Sequence, residues 1–274
     1  MRQSERLTTQ QKESHGVLWI FGDEAKTHDS LVKRAAISVR KHLQEKYTLL
    51  TFRHRAGLSK LEINTALQNI DKDLGQTLFV NDAGIKPDGN IIEVMDDNGK
   101  WRAILVSEAK YQGKDIENIK AGIYVGKNDD QDLMVAGNAI ERAHKNISEI
   151  ANYMLSESHF PYVLFLEGSN FLTQTLTIQR PDGRTVTLDY TSGALNRLDR
   201  LTSANYGMPL NTNLCRYKFI PHADKMIKLQ AASIYTHGDG RKWQESEMFT
   251  VMLEIAETSL KVLGSDLFSQ LTTK

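Results

Sequence analysis

The sequence is poor in the residues that mark specialised protein classes. Only one of its 274 residues is cysteine, which excludes an internal disulfide and a cysteine-based zinc site and indicates a reducing compartment. With 5 prolines and 18 glycines, the chain cannot be collagen-like or of low complexity. Its 40% hydrophobic and 25% charged residues indicate an ordinary globular protein, long enough to bury a core without disulfides or metals.

Long apolar runs are missing as well. No segment approaches the roughly 18 apolar residues that a membrane-spanning helix needs. The opening residues, MRQSERLTTQQKESHG, also lack the apolar region of a signal peptide. We therefore expect a cytoplasmic protein with no membrane partner.

The chain has no excess of either charge, because 34 lysines and arginines match 34 acidic residues. This balance argues against non-specific binding of a polyanion. Specific DNA binding stays open, since a basic groove can be offset by acidic residues at a metal site and on the far face of the protein.

Hydrophobic periodicity predicts an α/β fold in which helices flank a mixed sheet. No repeat or linker divides the chain, so residues 1–274 are predicted to form one domain, with a polar N-terminal arm at 1–15. Residues 16–22 are typical of either a strand or the start of a buried helix. The other predicted elements are helices at 29–47, 138–155, 194–201 and 247–263, strands at 160–166 and 229–235, and hairpins at 91–110 and 175–190.

One glycine-bearing segment superficially matches a phosphate-binding loop. In Gly122-Ile-Tyr-Val-Gly126-Lys127-Asn128, however, three residues instead of four separate the glycines, and Asn follows the Lys where Ser or Thr should bind Mg²⁺. The motif therefore fails, and we expect no nucleotide cofactor.

A second group of residues carries more chemistry. Asp88 stands before a predicted hairpin whose turn is Asn98-Gly99, and Glu108 and Lys110 stand near the end of its second strand. Residues two apart in a strand share a face, so Glu108 and Lys110 project together. Strict pairing would place Asp88 opposite Ala109 but on the wrong face, and a bulge or kink at Gly89 would turn it inward.

Two carboxylates and an ammonium group that meet at one point suit phosphodiester hydrolysis. The oxygens of Asp88 and Glu108, with the backbone carbonyl of Ala109, are ligands that Mg²⁺ prefers. A bound Mg²⁺ offsets negative charge in the transition state and acidifies a water, while Lys110 can orient that water. The alternative is that these residues are solvated charges at strand ends.

Two other segments repeat parts of this pattern. Glu24-Ala25-Lys26 repeats the acid-x-Lys motif, but no Pro-Asp hairpin precedes it. Pro181-Asp182-Gly183 repeats the Pro-Asp-Gly motif, but it fits a tight turn and no acid-x-Lys follows it. Only Asp88, Glu108 and Lys110 combine a Pro-Asp-Gly segment, a following hairpin and an acid-x-Lys motif.

Three segments of the chain also match a known family: residues 85–88, residues 108–110 and the long run 134–170, which begins MVAGNAIERAHKNISEI and ends VLFLEGSN. With these residues the chain resembles the EcoRI family of type II restriction endonucleases, which cut GAATTC. The similarity extends over nearly the whole chain and is weakest at the N-terminus. It implies the restriction-endonuclease fold of the PD-(D/E)xK superfamily, a homodimer that binds double-stranded DNA, Mg²⁺, and cleavage after G that leaves 5′-phosphates and four-base 5′ overhangs.

The resemblance also implies which residues read the DNA bases. Asn138, Glu141 and Arg142 stand where an extended segment enters a helix, and these side chains suit the hydrogen-bonding edges of the major groove. Taken alone, Glu141 would be a charge that complements the helix dipole. Arg197 and Arg200 lie three residues apart on a predicted helix, where they would otherwise form a solvated face, and the family places both at the DNA.

The family further implies arms that wrap the duplex, at residues 112–133 and 170–193. Lys114, Lys120 and Lys127 lie in the first of these segments, where we expect contacts to DNA phosphates. One position departs from the family, because Tyr111 follows Lys110 where histidine is expected. This difference bears on fidelity at sites that resemble the target.

Two other functions fit the same residues. A repair or resolving nuclease of the same fold would cut branched DNA and ignore the palindrome. A DNA-binding regulator without catalytic activity would bind an operator and leave plasmid DNA intact in Mg²⁺.

Overall fold

The computed structural model describes residues 23–77, 83–123, 138–189, 198–216, 218–264 and 267. Within them the strands are β1 (Phe52–Arg55), β2 (Leu58–Ser59), β3 (Gly84–Ile85), β4 (Ile91–Met95), β5 (Trp101–Tyr111), β6 (Tyr162–Glu167), β7 (Leu176–Gln179), β8 (Thr185–Leu188), β9 (Lys218–His222), β10 (Lys225–Leu229) and β11 (Ser233–Thr236). The helices are α1 (Asp23–Lys46), α2 (Lys60–Gln68), α3 (Asp115–Lys120), α4 (Asn138–Tyr153), α5 (Leu198–Ala204) and α6 (Glu245–Leu263).

A five-stranded sheet in the order β1-β4-β5-β6-β11 forms the centre of the fold. Its first three strands pair antiparallel, whereas β5 with β6 and β6 with β11 pair parallel. The predicted α/β fold with a mixed central sheet is therefore confirmed. The long strand β5 lies in the middle and connects the antiparallel half to the parallel half.

The hairpin of β4 and β5 forms at the predicted turn. Gly99 has a φ of 72°, a left-handed conformation that glycine adopts without strain. A bulge between Ile92 and Glu93 shifts the pairing by one residue, so that Ile91 lies opposite Val106. The residue numbers of paired positions therefore add up to 196 next to the turn, where Met95 lies opposite Trp101, and reach the 197 expected for strict folding at Asn98-Gly99 only beyond the bulge.

Helices cover both faces of the sheet. Strand β6 is buried throughout, and its side chains alternate between two hydrophobic clusters. Val163 and Phe165 pack into the cluster that contains residues of α1 and α6, whereas Tyr162 and Leu164 pack into the cluster that contains residues of α2, α4 and α5. Burial on both faces explains the unbroken apolar character of this segment.

Helix α4 has a narrow apolar stripe because its buried residues recur every third or fourth position. Ile140, Ala143 and Ile150 are at most 4% exposed and face the sheet, while Glu141 and Arg142 are exposed on the outer side. The helix therefore lies flat against the sheet, on the same side as Tyr162.

The two segments expected to form arms pack against one another. Ile116 and Ile119 of α3 form a small separate cluster with Ile178 of β7 and Val186 of β8. The turn between these two strands is Pro181-Asp182-Gly183, in which the amide of Gly183 donates to the carbonyl of Arg180 at 3.0 Å. Residues 124–137 and 190–197 lie outside the described part of the chain.

Some predicted boundaries were wrong. The strand expected at 229–235 is two strands, because Asn205 donates to the carbonyl of Ala232 and accepts from its amide, both at 2.8 Å, and so interrupts the run between them. The helix expected at 194–201 continues to Ala204. Residues 16–22, and residues 194–197 of that helix, lie outside the described residues.

Among the helices that the structure describes, none combines the length and the apolar character needed to cross a bilayer.

Candidate active site

The structure brings Asp88, Glu108 and Lys110 together at one end of β5. Glu108 and Lys110 share the face of that strand on which α4 packs. Asp88 precedes β4 in a turn in which the amide of Asn90 donates to the carbonyl of Pro87 at 3.0 Å. Oδ2 of Asp88 then accepts hydrogen bonds from the backbone amide of Ala109 at 3.3 Å and from Nζ of Lys110 at 2.7 Å.

Gly89 permits this inward turn, as the sequence predicts. The Gly89 amide donates to the Ser107 carbonyl at 2.9 Å, and the Ser107 amide donates to the Asn90 carbonyl at 3.2 Å, so two residues lie opposite one. A Cβ atom on Gly89 would lie 2.1 Å from Oγ of Ser107. The left-handed residue of this kink is Asn90, with a φ of 69°. Gly89 is therefore required for close approach of the two strands.

The ammonium group of Lys110 lies among three oxygen atoms. Besides Asp88, Nζ donates to the carbonyl of Ala109 at 2.9 Å and forms a close ion pair with Oε1 of Glu108. These are the same three oxygen donors that the sequence assigns to a metal ion. The chain thus presents two carboxylates and a carbonyl around one cation, which is the donor set that a hard divalent cation requires.

Glu108 has further partners that sequence reasoning missed. Nδ2 of Asn146, on α4, lies 2.9 Å from both Oε1 and Oε2 of Glu108. The hydroxyl of Tyr162, on β6, donates to Oε2. The available signal was a polar residue on the apolar stripe of α4, since Asn146 stands three residues after Ala143 and four before Ile150.

Burial and charge set the ionisation of this group. Burial raises the pKa of Glu108, whose side chain is 1% exposed. Burial alone would lower the pKa of Lys110, but the carboxylates of Glu108 and Asp88 outweigh it and raise that pKa above its usual value. Burial also raises the pKa of Tyr162 well above its usual value. Lys110 is therefore a cation and Tyr162 a hydrogen-bond donor at neutral pH.

A third carboxylate acts on the site electrostatically. Desolvation by the surrounding protein, with a smaller contribution from Asp88, raises the pKa of Asp29 on α1 to about 6. In the described part of the chain, however, no three His, Cys, Asp or Glu side chains converge as metal ligands. A metal held here would therefore have the carboxylates of Asp88 and Glu108, the Ala109 carbonyl and water as its ligands.

The residues expected to contact DNA bases lie at two helix ends. Glu141 and Arg142 are exposed in the first turn of α4, and Arg200 is exposed on α5, where Leu198 and Leu201 form the buried face. Asn138 is the first described residue of α4. The side chain of Asn138 and the whole of Arg197 lie outside the described residues.

The residues expected to contact phosphates lie around α3. Lys114 precedes the helix, and Lys120 is exposed in its last turn. Lys127 lies outside the described residues. Tyr111, the departure from the family, is buried at the last position of β5, next to Lys110.

The two partial repeats of the motif have other structures. Glu24 and Lys26 lie on helix α1, where residues two apart do not share a face. Asp182 is in the exposed turn between β7 and β8, where its Oδ2 pairs with Nε of Arg184 at 2.9 Å.

Comparison with known proteins agrees with this architecture. The family described as Restriction endonuclease EcoRI matches residues 14–270. The type II restriction enzyme EcoRI of Escherichia coli is 65% identical over 273 residues, covering 100% of this chain and 99% of that protein. The type II restriction enzyme RsrI of Cereibacter sphaeroides is 46% identical over 265 residues, covering 97% and 95%. The chain belongs to the EcoRI family of restriction endonucleases and is a site-specific deoxyribonuclease.

Proposed function

We propose that this enzyme is a Mg²⁺-dependent homodimer that cuts both strands of GAATTC after G, leaving 5′-phosphates and four-base 5′ overhangs. The observation that carries the proposal is the convergence of Asp88, Glu108 and the Ala109 carbonyl on one cation, at the end of a strand in a chain 65% identical to EcoRI. The rival functions, a nuclease for branched DNA and a regulator without catalytic activity, have no observation in their favour.

In the proposed reaction, Asp88, Glu108 and the Ala109 carbonyl would hold Mg²⁺. When bound, Mg²⁺ supplies positive charge beside the scissile phosphate and acidifies a water. Lys110 is a cation that already donates to both carboxylates, so its ammonium group can orient the attacking water and stabilise negative charge on the phosphate oxygens. Asp88 fixes the ammonium group in place.

The proposed base-reading residues are Asn138, Glu141, Arg142, Arg197 and Arg200. Exposure of Glu141 and Arg142 in the first turn of α4 supports this role, because a helix can insert that end into the major groove. Lys114, Lys120 and Lys127 are proposed to contact phosphates, and residues 112–133 and 170–193 to form the arms around the duplex. Packing of α3 on β7 and β8 supports a common role for the two arm segments.

A homodimer is supported by an exposed apolar surface on the β9–β10 hairpin. Ile220 and Ile227 are direct cross-strand partners, yet they are 42% and 43% exposed. Phe219 and Met226 are 49% and 59% exposed on the same hairpin. Neighbouring residues of a strand point to opposite faces, so Ile220 and Ile227 form an exposed apolar pair on one face of the hairpin, and Phe219 and Met226 lie on the other. Exposed apolar side chains of this kind mark protein interfaces, and a two-fold dimer matches a palindromic target.

Digestion of a mapped DNA tests the proposal. The purified protein with Mg²⁺ should cut only at GAATTC, and sequencing of the ends should show 5′-phosphates and four-base 5′ overhangs. The variant Glu108→Gln should bind the same site without cutting it, whereas Glu24→Gln should cut like the unaltered protein. Cutting at branches, or an intact plasmid in Mg²⁺, would establish one of the rival functions instead.

A further inference from the structure

The helix proposed to read DNA also contacts the proposed catalytic carboxylate. Helix α4 runs from Asn138 to Tyr153 without a break, and Asn146 lies near its middle. The Asn146 amide donates to both oxygens of Glu108, each at 2.9 Å. A base-reading segment and a metal ligand are therefore joined by one side chain.

Asn146 lies close to the proposed base-reading residues on the same helix. Asn146 stands four residues after Arg142, so one turn of helix, about 6 Å along the axis, separates them. Because a helix transmits displacement along its axis with little internal deformation, a shift of the turn that carries Glu141 and Arg142 moves Asn146 as well. The orientation of Glu108 depends on where that amide lies.

Tyr162 makes a second contact to Glu108 that provides a comparison. Its hydroxyl donates to Oε2, but it lies on β6 in the middle of the sheet, and its ring stacks on Phe160 with centroids 5.8 Å apart. No residue proposed to read bases lies on β6. Tyr162 and Asn146 thus both hold the same carboxylate, and only Asn146 does so from the DNA-reading helix.

We propose that Asn146 is a positioning residue that couples base reading by α4 to the orientation of Glu108, so that cutting depends on correct contacts at the target sequence. The inference rests on the proposed roles of Glu108 and of the first turn of α4. At the correct site the helix holds Glu108 in the cutting orientation. At a site with one wrong base the helix contacts are incomplete, and Asn146 contributes little to the rate.

The test measures single-turnover cleavage and DNA affinity for the full-length protein. Asn146→Ala should slow cleavage of GAATTC about 10- to 100-fold, as expected when a partner of a metal ligand is removed. Affinity for GAATTC, measured in EDTA, should change less than about threefold, because the Asn146 side-chain amide is engaged with Glu108 and is not one of the residues proposed to contact bases or phosphates. Cleavage of sites with one altered base should slow less. The ratio of the cleavage rate at GAATTC to the rate at altered sites should therefore fall.

Two further variants separate coupling from simple support of the carboxylate. Tyr162→Phe removes a different hydrogen bond to Glu108 and should slow cleavage of correct and altered sites by the same factor. Asn152→Ala changes an exposed asparagine at the far end of the same helix and should behave like the unaltered protein. If Asn146→Ala fails to fold, Asn146→Asp retains the side-chain volume and should show the same loss of rate and of discrimination.

The outcomes distinguish the inference from the proposed function. Equal slowing of correct and altered sites by Asn146→Ala and Tyr162→Phe would overturn coupling, and an unchanged rate for Asn146→Ala would overturn any positioning role. Failure of the unaltered protein to cut GAATTC would contradict the proposed function itself. The coupling is supported if the ratio of the rate at GAATTC to the rate at altered sites falls in Asn146→Ala but not in Tyr162→Phe.

Discussion

Nζ of Lys110 lies 2.7 Å from Oδ2 of Asp88, so the lysine proposed to act in catalysis is also the cation that separates two carboxylates. The Asp88 side chain is 25% exposed and that of Glu108 only 1%, so solvent does little to screen their repulsion. Lys110 therefore stabilises the fold of the site as well as serving the reaction.

Removal of this cation should destabilise the protein in a manner that Mg²⁺ reverses. Lys110→Met leaves the two carboxylates without their neutralising cation, which costs about 3 kcal/mol and lowers the melting temperature by roughly 6–12 °C. Thermal melts in EDTA and in Mg²⁺ measure the effect, and Mg²⁺ should raise the melting temperature more for the variant than for the unaltered protein. Lys41→Met, at an exposed position of α1, is the matched control and should change stability by about 0.5 kcal/mol at most. An equal effect of Mg²⁺ on both proteins would argue against a cation site at these carboxylates.

Gly89 gives a second prediction, because a side chain there would displace Asp88. In Gly89→Ala the new Cβ atom would lie 2.1 Å from Oγ of Ser107. Relief of the clash should cost about 1–3 kcal/mol and should abolish cleavage by moving the carboxylate that precedes β4. Melting curves and cleavage assays at a temperature where the variant remains folded measure the two effects separately.

Gly183→Ala is the control for a glycine that only adopts an unusual backbone conformation. Gly183 has a φ of 87°, and a Cβ atom there would meet nothing within 4 Å. Its substitution should also cost about 1 kcal/mol, yet cleavage should continue. If both variants retained cleavage, the kink at Gly89 would not be what positions Asp88.

Local signals explain why part of the site could be predicted from sequence. The Asn98-Gly99 turn fixed the hairpin, and the two-residue period of a strand placed Glu108 and Lys110 on one face. The contacts of Glu108 with Asn146 and Tyr162 span 38 and 54 residues and depend on how α4 packs on the sheet. No local sequence pattern predicts how a helix packs on a sheet, so these two contacts could not be predicted.

The errors in the predicted strands also arise from contacts and burial that local sequence does not reveal. A single strand was expected at 229–235, because no glycine, proline or charged residue in this segment marks the junction of β10 and β11. The break arises from a hydrogen-bonded contact with Asn205, which is distant in sequence. Strand β9 was missed because Phe219 and Ile220 are both exposed, so the alternation that marks a half-buried strand is absent.

Cys215 should be unreactive in the folded protein. It is 0% exposed, its Sγ lies 3.1 Å from Oγ of Ser259, and burial raises its pKa to about 11. At pH 8 only about one folded molecule in a thousand would carry the thiolate. Alkylation by iodoacetamide should therefore be slow up to about pH 10 in the folded protein and fast at pH 8–9 after unfolding in guanidinium. Comparable rates in the two states would show that Cys215 is accessible.

Methylation of the target tests base reading by α4. If Asn138, Glu141 and Arg142 contact adenine edges in the major groove, a methyl group on N6 of the inner adenine removes one donor hydrogen and adds bulk to a close polar contact. An unpaired buried polar group costs about 1–3 kcal/mol, and two-fold symmetry doubles this to about 2–6 kcal/mol before any steric effect. Binding and cutting of DNA methylated on both strands should therefore fall by about 30-fold to 10⁴-fold. DNA methylated on one strand should be cut at an intermediate rate, because one half-site keeps its contacts. Cleavage under limiting enzyme of otherwise identical duplexes measures the three rates, and equal rates would refute the assignment of this helix end as the base reader.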